Sequence, residues 1–331
     1  MKKIELLYLS QEDVVSVGIT MEETIRIVEG ALREHGLGKF ENPPKRGVHP
    51  KNGFIHAMPG YLPRKKAAGL KWVSSFSNNT ALGIPPVMGL YILNDVRTGR
   101  PLAVMDCRWI TAMRTGAASA VAAKFLAQKK SKIVGIVGAG IQGRYNLIAL
   151  STALSTLKVV KVFDTNLQAT KGMIAALCQI LALKIEIAKT PEEVIEDACI
   201  VVTATGMLNK PIFKERWVAE GALVLPVHHR GWENRTLHKM DKFVTDDWRQ
   251  LRQAHEEVGG FDGPLPELHT ELGEIITGQK PGRENVKERI IDFNYGLAIE
   301  DAAMATEIYA RAKAKGIGMT LPLMKEELPY A

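Results

Sequence analysis

Nowhere in its 331 residues does the chain carry an apolar run long enough to cross a bilayer. Its opening, MKKIELLYLSQEDVV, breaks its apolar residues with acidic ones where a secretory leader needs an unbroken stretch. No membrane partner is implied, and a soluble cytoplasmic protein is expected. Cysteine is scarce: Cys107, Cys178 and Cys199 lie far apart with no CxxC pair, which excludes a disulfide framework and a thiolate zinc site. His35, His49, His238, His255 and His269 fall at no metal-ligand spacing, so no metal is expected. Fixed-period repeats and low-complexity tracts are missing too, which removes solenoid and disordered architectures.

What is present is a globular composition, 46% hydrophobic and 24% charged, in a chain long enough for two ordinary domains. The net charge of +7 tells less than its distribution. Between Glu41 and Asp95 there is no carboxylate, while Lys45, Arg46, Lys51, Arg64, Lys65, Lys66 and Lys71 all fall there. Lys65 and Lys66, beside the turn-like Leu62-Pro63-Arg64, read as solvated surface. Lys71 lies in the strand-like AAGLKWVSSF, among neighbours that make an exposed ammonium harder to assume. Alternation sets it on the opposite face from Leu70 and Trp72, and if those two pack in the core it points away from that core. The basic segment contains no recognisable nucleic-acid module, so nucleic acid is not an expected partner.

Thr20 followed by Glu23 forms a capping box, Ile25, Val28 and Leu32 repeat at helical spacing, and Gly36 and Gly38 close the helix. GFIHAMPGYL, AAGLKWVSSF, VMGLYILN and PLAVMDC then read as strands of an antiparallel meander, the last two joined by a hairpin from Asp95 to Arg100. The Ala-rich stretch 108–127 reads as a helix whose small residues allow close backbone approach.

A different pattern begins at SKIVGIVGAGIQGRYNLIAL, a buried strand running into GxGxxG at a helix start. Gly138 permits the tight turn, Gly140 lets the backbone approach a pyrophosphate, and Gly143 allows the helix to pack on the strand. The helix N-terminus offers its unpaired N–H groups to phosphate. A second strand, VVKVF, ends in Asp164 about twenty positions later, where a carboxylate accepts ribose hydroxyls. Asp164 is followed by Thr165 and Asn166 and by no Arg, which favours NAD, with NADP as the alternative. Strands and helices go on alternating through LKIEIA, ACIVVTATG, GALVLPV and ERIIDFN, which implies a parallel doubly wound sheet with its ligand crevice at the strands' carboxyl ends. Thr203, Thr205 and Gly206 lie at such an end, as do His228, His229 and Arg230. GLAIEDAAMATEIYARAKAKG reads as a long closing helix stopped by Gly316.

The stretches MPGY, GLKWV, GIPPVMGLYILND, TGRPLAVMD, ITAMRTGAASAVAAKFLA, VGIVGAGIQGR, VVTATG and GLAIEDAA stand in the order and spacing of one family. By them the chain resembles the ornithine cyclodeaminases and mu-crystallins, from roughly Thr20 to Gly318, the most specific element being ITAMRTGAAS ahead of the glycine turn. The resemblance implies an α/β fold: a Rossmann dinucleotide-binding domain (126–295) inserted in an α+β meander domain (1–125 plus 296–331) that serves substrate binding and dimerisation. It implies a homodimer. It also implies chemistry at an amino acid α-carbon with a nicotinamide cofactor, whether amino-acid dehydrogenation, cyclic ketimine reduction or ornithine cyclodeamination. Residue by residue, it assigns Arg46, Lys71 and Arg114 to the substrate carboxylate, with Arg114 also approaching the cofactor. Gly138, Gly140, Ile141, Gln142, Gly143, Asp164, Thr203, Thr205, Val227 and Asn294 take the dinucleotide positions.

The chain also departs from the family. Gly83-Ile84-Pro85-Pro86 stands where the family has GLPT, and Asn294 where a serine is common. Where the family carries its acid–base aspartate and then a lysine, this chain has His228-His229-Arg230 and, further on, Asn234. A guanidinium does not release a proton near neutrality, so Arg230 suits a second anion contact, while His229 titrates in the range needed for proton transfer and His228 is the weaker candidate. Cyclodeamination needs a carboxylate partner for the substrate's side-chain amine, which the segment from Asn42 to Asn94 lacks. A small anionic amino, imino or oxo acid is the better electrostatic match, with hydride passing between nicotinamide C4 and its α-carbon. Ornithine cyclodeamination stays as an alternative, as does a mu-crystallin-like ligand-binding protein with little turnover.

Overall fold

The computed structural model describes residues 4–206, 208–228 and 230–324. By their internal contacts these fall into two units: one gathers residues up to Thr20, Lys39–Thr111 and the stretch from Leu297 on, the other Met21–Gly38 and Ala112–Gly296.

The first unit is built on a seven-stranded sheet, in the order Met319–Met324, Ile4–Leu9, Pro101–Asp106, Val87–Asn94, Ala67–Phe76, Gly53–Leu62, Arg46–Val48. The four predicted meander strands are all there and antiparallel, with Met58, Lys71 and Tyr91 side by side in register. The helix Ala298–Lys315 packs across strands Gly53–Leu62 and Ala67–Phe76. Its buried residues include the small Ala298, Ala302, Ala303 and Ala305. Gly60 is needed beneath it, since a Cβ there would lie 2.8 Å from the Ala298 carbonyl carbon. Asn42 accepts the Ala298 N–H at 2.8 Å at the helix start, and Gly316 (φ 67°) ends it in the left-handed region.

The predicted alternation in AAGLKWVSSF is present, but the condition that Trp72 packs in the core is not met. Lys71 is 1% exposed and lies under the closing helix's side of the sheet, whereas Trp72 is 44% exposed on the other face. Hydrophobicity alone favoured Trp72 for the core; what decides the orientation is a carboxylate contributed by the helix, described below.

The second unit holds an eight-stranded sheet in the order Thr270–Glu271, Lys242–Thr245, Ile290–Phe293, Leu223–Pro226, Ile200–Thr203, Ile133–Val137, Val159–Phe163, Lys184–Ile187. Every pairing in it is parallel. Helices follow the strands: Ile141–Ala153, Leu167–Leu177, Pro191–Ile195 and Trp248–Val258. The strand order runs outward in both directions from Ile133–Val137, which makes the carboxyl end of that strand the switch point where a crevice opens.

Two stretches within 1–125 group with this second unit. Helix Met21–Gly36 buries Met21, Ile25, Val28 and Leu32 at helical spacing, each worth roughly 2 kcal/mol of apolar burial. It packs on Leu272–Ile276 and Ile141–Ala153, so closely that a Cβ on Gly36 would collide with the Gly273 carbonyl. Helix Arg108–Leu126 joins the second unit from Ala112 on, and Gly116 lies against the Tyr145 carbonyl, the close approach its small residues predicted. Strands Ile4–Leu9, Lys242–Thr245 and Met319–Met324 and helices Gln11–Ser16 and Trp248–Val258 are additional to the elements expected from sequence.

Candidate functional site

In the second unit the glycine turn has the geometry its residues require. Gly138 has φ 106°, and any side chain on it would strike the Ala204 carbonyl. Gly140 caps helix Ile141–Ala153 from an extended conformation, and a Cβ there would meet nothing within 4 Å. A Cβ on Gly143 would collide with the Gly138 carbonyl. The turn is thus tight on its inner side and open on its outer side, at the N-terminus of a 13-residue helix. That combination suits a phosphate-bearing group. Ile141 is exposed, and the Gln142 amide oxygen is buried with no partner among the described residues.

Asp164 does more than terminate its strand. One carboxylate oxygen accepts the Ala139 N–H at 2.8 Å and the other accepts the Asn166 N–H at 2.8 Å. The acid therefore fastens the second strand's end to the glycine turn, and lies where ribose hydroxyls are expected. On the other side of the switch point, the Thr203 hydroxyl is fully buried and accepts the indole N–H of Trp232 at 3.1 Å. The Thr205 hydroxyl is buried and has no partner among the described residues. Val227 lies just past the strand Leu223–Pro226, its N–H bonded to the Thr203 carbonyl at 2.8 Å.

Beyond the strand Ile290–Phe293 the chain makes a polar turn. Asn294 donates from Nδ2 to Asp292 at 2.7 Å, and its Oδ1 is buried with no partner among the described residues. Asp246 accepts the N–H groups of Tyr295 at 2.9 Å and Gly296 at 2.6 Å. The buried guanidinium of Arg114 packs on Gly296, whose φ of 86° and missing side chain make room for it.

The segment that departs from the family has other attachments. His229 lies outside the described residues. His228 has both ring nitrogens buried, and burial pushes its pKa down to about 4, so it is neutral at pH 7 and carries no proton to give as an imidazolium. Arg230 donates to the Gly259 carbonyl at 3.1 Å and lies 3.6 Å from the Asp262 carboxylate. Asn234 donates to the carbonyls of Phe261 (3.0 Å) and Pro264 (2.9 Å). Both side chains pin the segment from Gly259 to Pro264, whose Gly259 and Asp262 have positive φ.

In the first unit, Arg46 is exposed on the edge strand Arg46–Val48. Lys71 forms a buried ion pair with Asp301, Nζ to carboxylate 2.7 Å. Its cross-strand neighbour Tyr91 is fully buried; desolvation, then the nearby Asp301 charge, raises its phenol well above the usual value and keeps it protonated. Sequence reasoning overlooked Asp301, Tyr91, Asp246 and Asp292. The available signal was acids in apolar settings, as in AIEDAAMA and RIIDFN.

Among the described residues no group of three or more His, Cys, Asp or Glu could hold a metal, and no helix is long and apolar enough to cross a membrane.

A profile of the ornithine cyclodeaminase/mu-crystallin family matches residues 6–316. The nodulation efficiency protein NfeD of Rhizobium meliloti is 38% identical over 94% of this chain and 97% of its own. A solved Thermococcus litoralis Δ1-pyrroline-2-carboxylate reductase in complex with NADH and L-proline superposes with a TM-score of 0.87 at 36% identity, over 95% of this chain and 99% of that one. An archaeal alanine dehydrogenase dimer with bound NAD does so with a TM-score of 0.86 at 35% identity, over 97% and 100%.

Proposed function

The chain belongs to the ornithine cyclodeaminase/mu-crystallin family, and from that premise we propose that it is an NAD(P)-dependent oxidoreductase acting on the C–N bond of a small amino or imino acid. The observation that carries this is the open glycine turn tied to Asp164, which fits a dinucleotide in a chain otherwise like NAD-dependent enzymes of amino and imino acids. When bound, the nicotinamide supplies or takes the hydride at the substrate's α-carbon. The protein's own residues do the rest. Gly138, Gly140 and Gly143 let the backbone N–H groups of the turn and of Ile141 and Gln142 reach the pyrophosphate. Asp164 takes the ribose hydroxyls and by its charge favours NAD over NADP. Thr205, Val227 and Asn294 border the nicotinamide side; Thr203 belongs with them, but its hydroxyl already accepts from Trp232 and acts mainly by holding the strand end.

Lys71, Arg46 and Arg114 are assigned to the substrate's carboxylate. Asp301 pairs with the Lys71 ammonium from the closing helix and fixes where its side chain lies. Arg230 is here a pin for the segment after Gly259, and His229 is the proton donor to the amine or imine nitrogen. An anionic imino or oxo acid fits the cationic residues best. The outward face of the seven-stranded sheet, where Trp72 pairs across strands with Leu90 and both are 44% exposed, is the surface for a second copy, in a cytoplasmic homodimer.

Following the nicotinamide absorbance band with cyclic imines, 2-oxo acids plus ammonia or methylamine, and amino acids tests the reading. Turnover of a carboxylate-bearing imine or amino acid is expected; tight cofactor binding with no turnover across the panel favours a ligand-binding protein instead. That second reading rests on Arg230 and Asn234 being occupied as pins where the family carries an acid and a lysine.

A further inference from the structure

Asn294 and Asp292 form a pair whose polarity is fixed by chemistry. A carboxylate only accepts, so the 2.7 Å contact obliges Asn294 to present its NH2 group to Asp292 and turns its Oδ1 the other way. That oxygen is buried and has no partner among the described residues, a condition that costs free energy unless a donor arrives. Asp292 is itself 1% exposed, at the end of an inner strand of the sheet, and cannot turn away to water. The backbone just after Asn294 is held by Asp246 through the N–H groups of Tyr295 and Gly296, so the side chain starts from a fixed point.

The position in the sheet says which half of a dinucleotide this oxygen meets. Asp164 marks the adenosine side, on the strand that adjoins Ile133–Val137 in one direction. Asn294 follows the strand third from Ile133–Val137 in the other direction, past Ile200–Thr203 and Leu223–Pro226. In a doubly wound sheet the nicotinamide half extends that way. We propose that Asp292 is a positioning residue that locks the Asn294 amide with its oxygen toward the crevice, making Asn294 a dedicated acceptor for the carboxamide N–H of the nicotinamide ring. Serine, with a hydroxyl that both donates and accepts, cannot impose this polarity; an asparagine held by a carboxylate can. The inference rests on the second unit being the NAD site.

The test is binding rather than turnover, using NAD+, 3-acetylpyridine adenine dinucleotide, which keeps the carbonyl but has no N–H to donate, and ADP-ribose, which lacks the ring. The unmodified protein is expected to bind NAD+ about tenfold more tightly than the acetylpyridine analogue, the scale of one buried acceptor left unsatisfied. Asp292→Asn frees the amide to turn over, and the preference is expected to shrink to about threefold or less while ADP-ribose affinity stays within about twofold. The exchange Asp292→Asn with Asn294→Asp restores an acceptor facing the crevice and is expected to recover the preference, which a merely structural role for Asp292 does not predict. Should Asp292→Asn fail to fold, Asn294→Ala reads the same contact and must lose the preference. An unmodified protein that binds NAD+ and its acetylpyridine analogue equally, or variants that keep the full preference, overturn the inference alone. Failure of the unmodified protein to bind either NAD+ or ADP-ribose overturns the NAD-site reading and the inference with it.

Discussion

Lys71 and Asp301 are the two halves of a buried ion pair, Nζ to carboxylate 2.7 Å, joining the middle of the meander to the closing helix. One cation of the acid-free segment, Lys71, therefore finds its counter-charge far downstream. Were Lys71 only a solvent-side ligand group, Lys71→Ala would leave the fold untouched. Because it takes the ammonium away from the buried Asp301 carboxylate, it is instead expected to lower stability by about 3 kcal/mol as well as abolish turnover. The double variant Lys71→Met, Asp301→Leu is expected to regain most of the stability and none of the turnover. Urea unfolding beside kinetics checks both; a folded, fully stable and active Lys71→Ala protein contradicts the pairing.

Cofactor choice is expected to follow Asp164, with NADH bound more tightly than NADPH. Because the same carboxylate holds the Ala139 N–H, Asp164→Ala should narrow the gap partly by weakening NADH, by roughly tenfold, as the glycine turn loosens. Fluorescence titration of both cofactors distinguishes this from simple relief of repulsion at the 2′-phosphate, in which NADPH affinity rises and NADH affinity holds.

His228 should act on stability rather than on catalysis. Its folded pKa of about 4 lies below the ordinary imidazole value of 6.5, so the unfolded chain takes up a proton first as pH falls. The stability tied to the neutral ring is present above pH 6.5 and is lost on going down through 4, about 3 kcal/mol in all. Chemical unfolding at pH 7.5 and pH 4.5 is expected to show a smaller drop for His228→Gln than for the unmodified protein. An equal drop would exclude burial of a neutral imidazole.

His229→Gln is expected to lower turnover by about two to four orders of magnitude with cofactor binding intact. The loss should be greater for a 2-oxo acid with ammonia, whose condensation needs several proton transfers, than for a preformed imine. Equal losses for the two substrates argue against proton transfer by this side chain.

Arg230→Ala is expected to increase proteolytic nicking and amide exchange in the segment after Gly259, which it ties through the Gly259 carbonyl and Asp262. A selective rise in the Michaelis constant for dicarboxylate substrates, with that segment unchanged, would restore the anion-clamp role.

The meander and the alternating strands and helices were legible because both rest on short-range signals: period-two alternation, glycine punctuation, and GxGxxG joined to a strand. Strand Ile4–Leu9 was not, since its neighbours Pro101–Asp106 and Met319–Met324 lie at great sequence distance and nothing local marks it. Lys242–Thr245 was hidden in a charged setting, because the buried Lys242 is paired with Glu284 and Glu288 from much later in the chain. Which face Lys71 takes was left open for the same reason: the pleat says which residues share a face, while the partner that decides which face is covered comes from another part of the chain.

The interleaving of the two units has a consequence for synthesis on the ribosome. Once the chain has emerged as far as Gly296, the parallel sheet has all of its strands and can close. The meander has emerged long before and still lacks both the helix Ala298–Lys315 and the strand Met319–Met324 that borders Ile4–Leu9. Throughout that interval the nascent chain holds an uncovered sheet in which Lys71 still awaits Asp301, the kind of surface that chaperones bind and that aggregates when they are scarce. A stall in translation just after Gly296 would thus release a finished nucleotide-binding unit attached to an unfinished one.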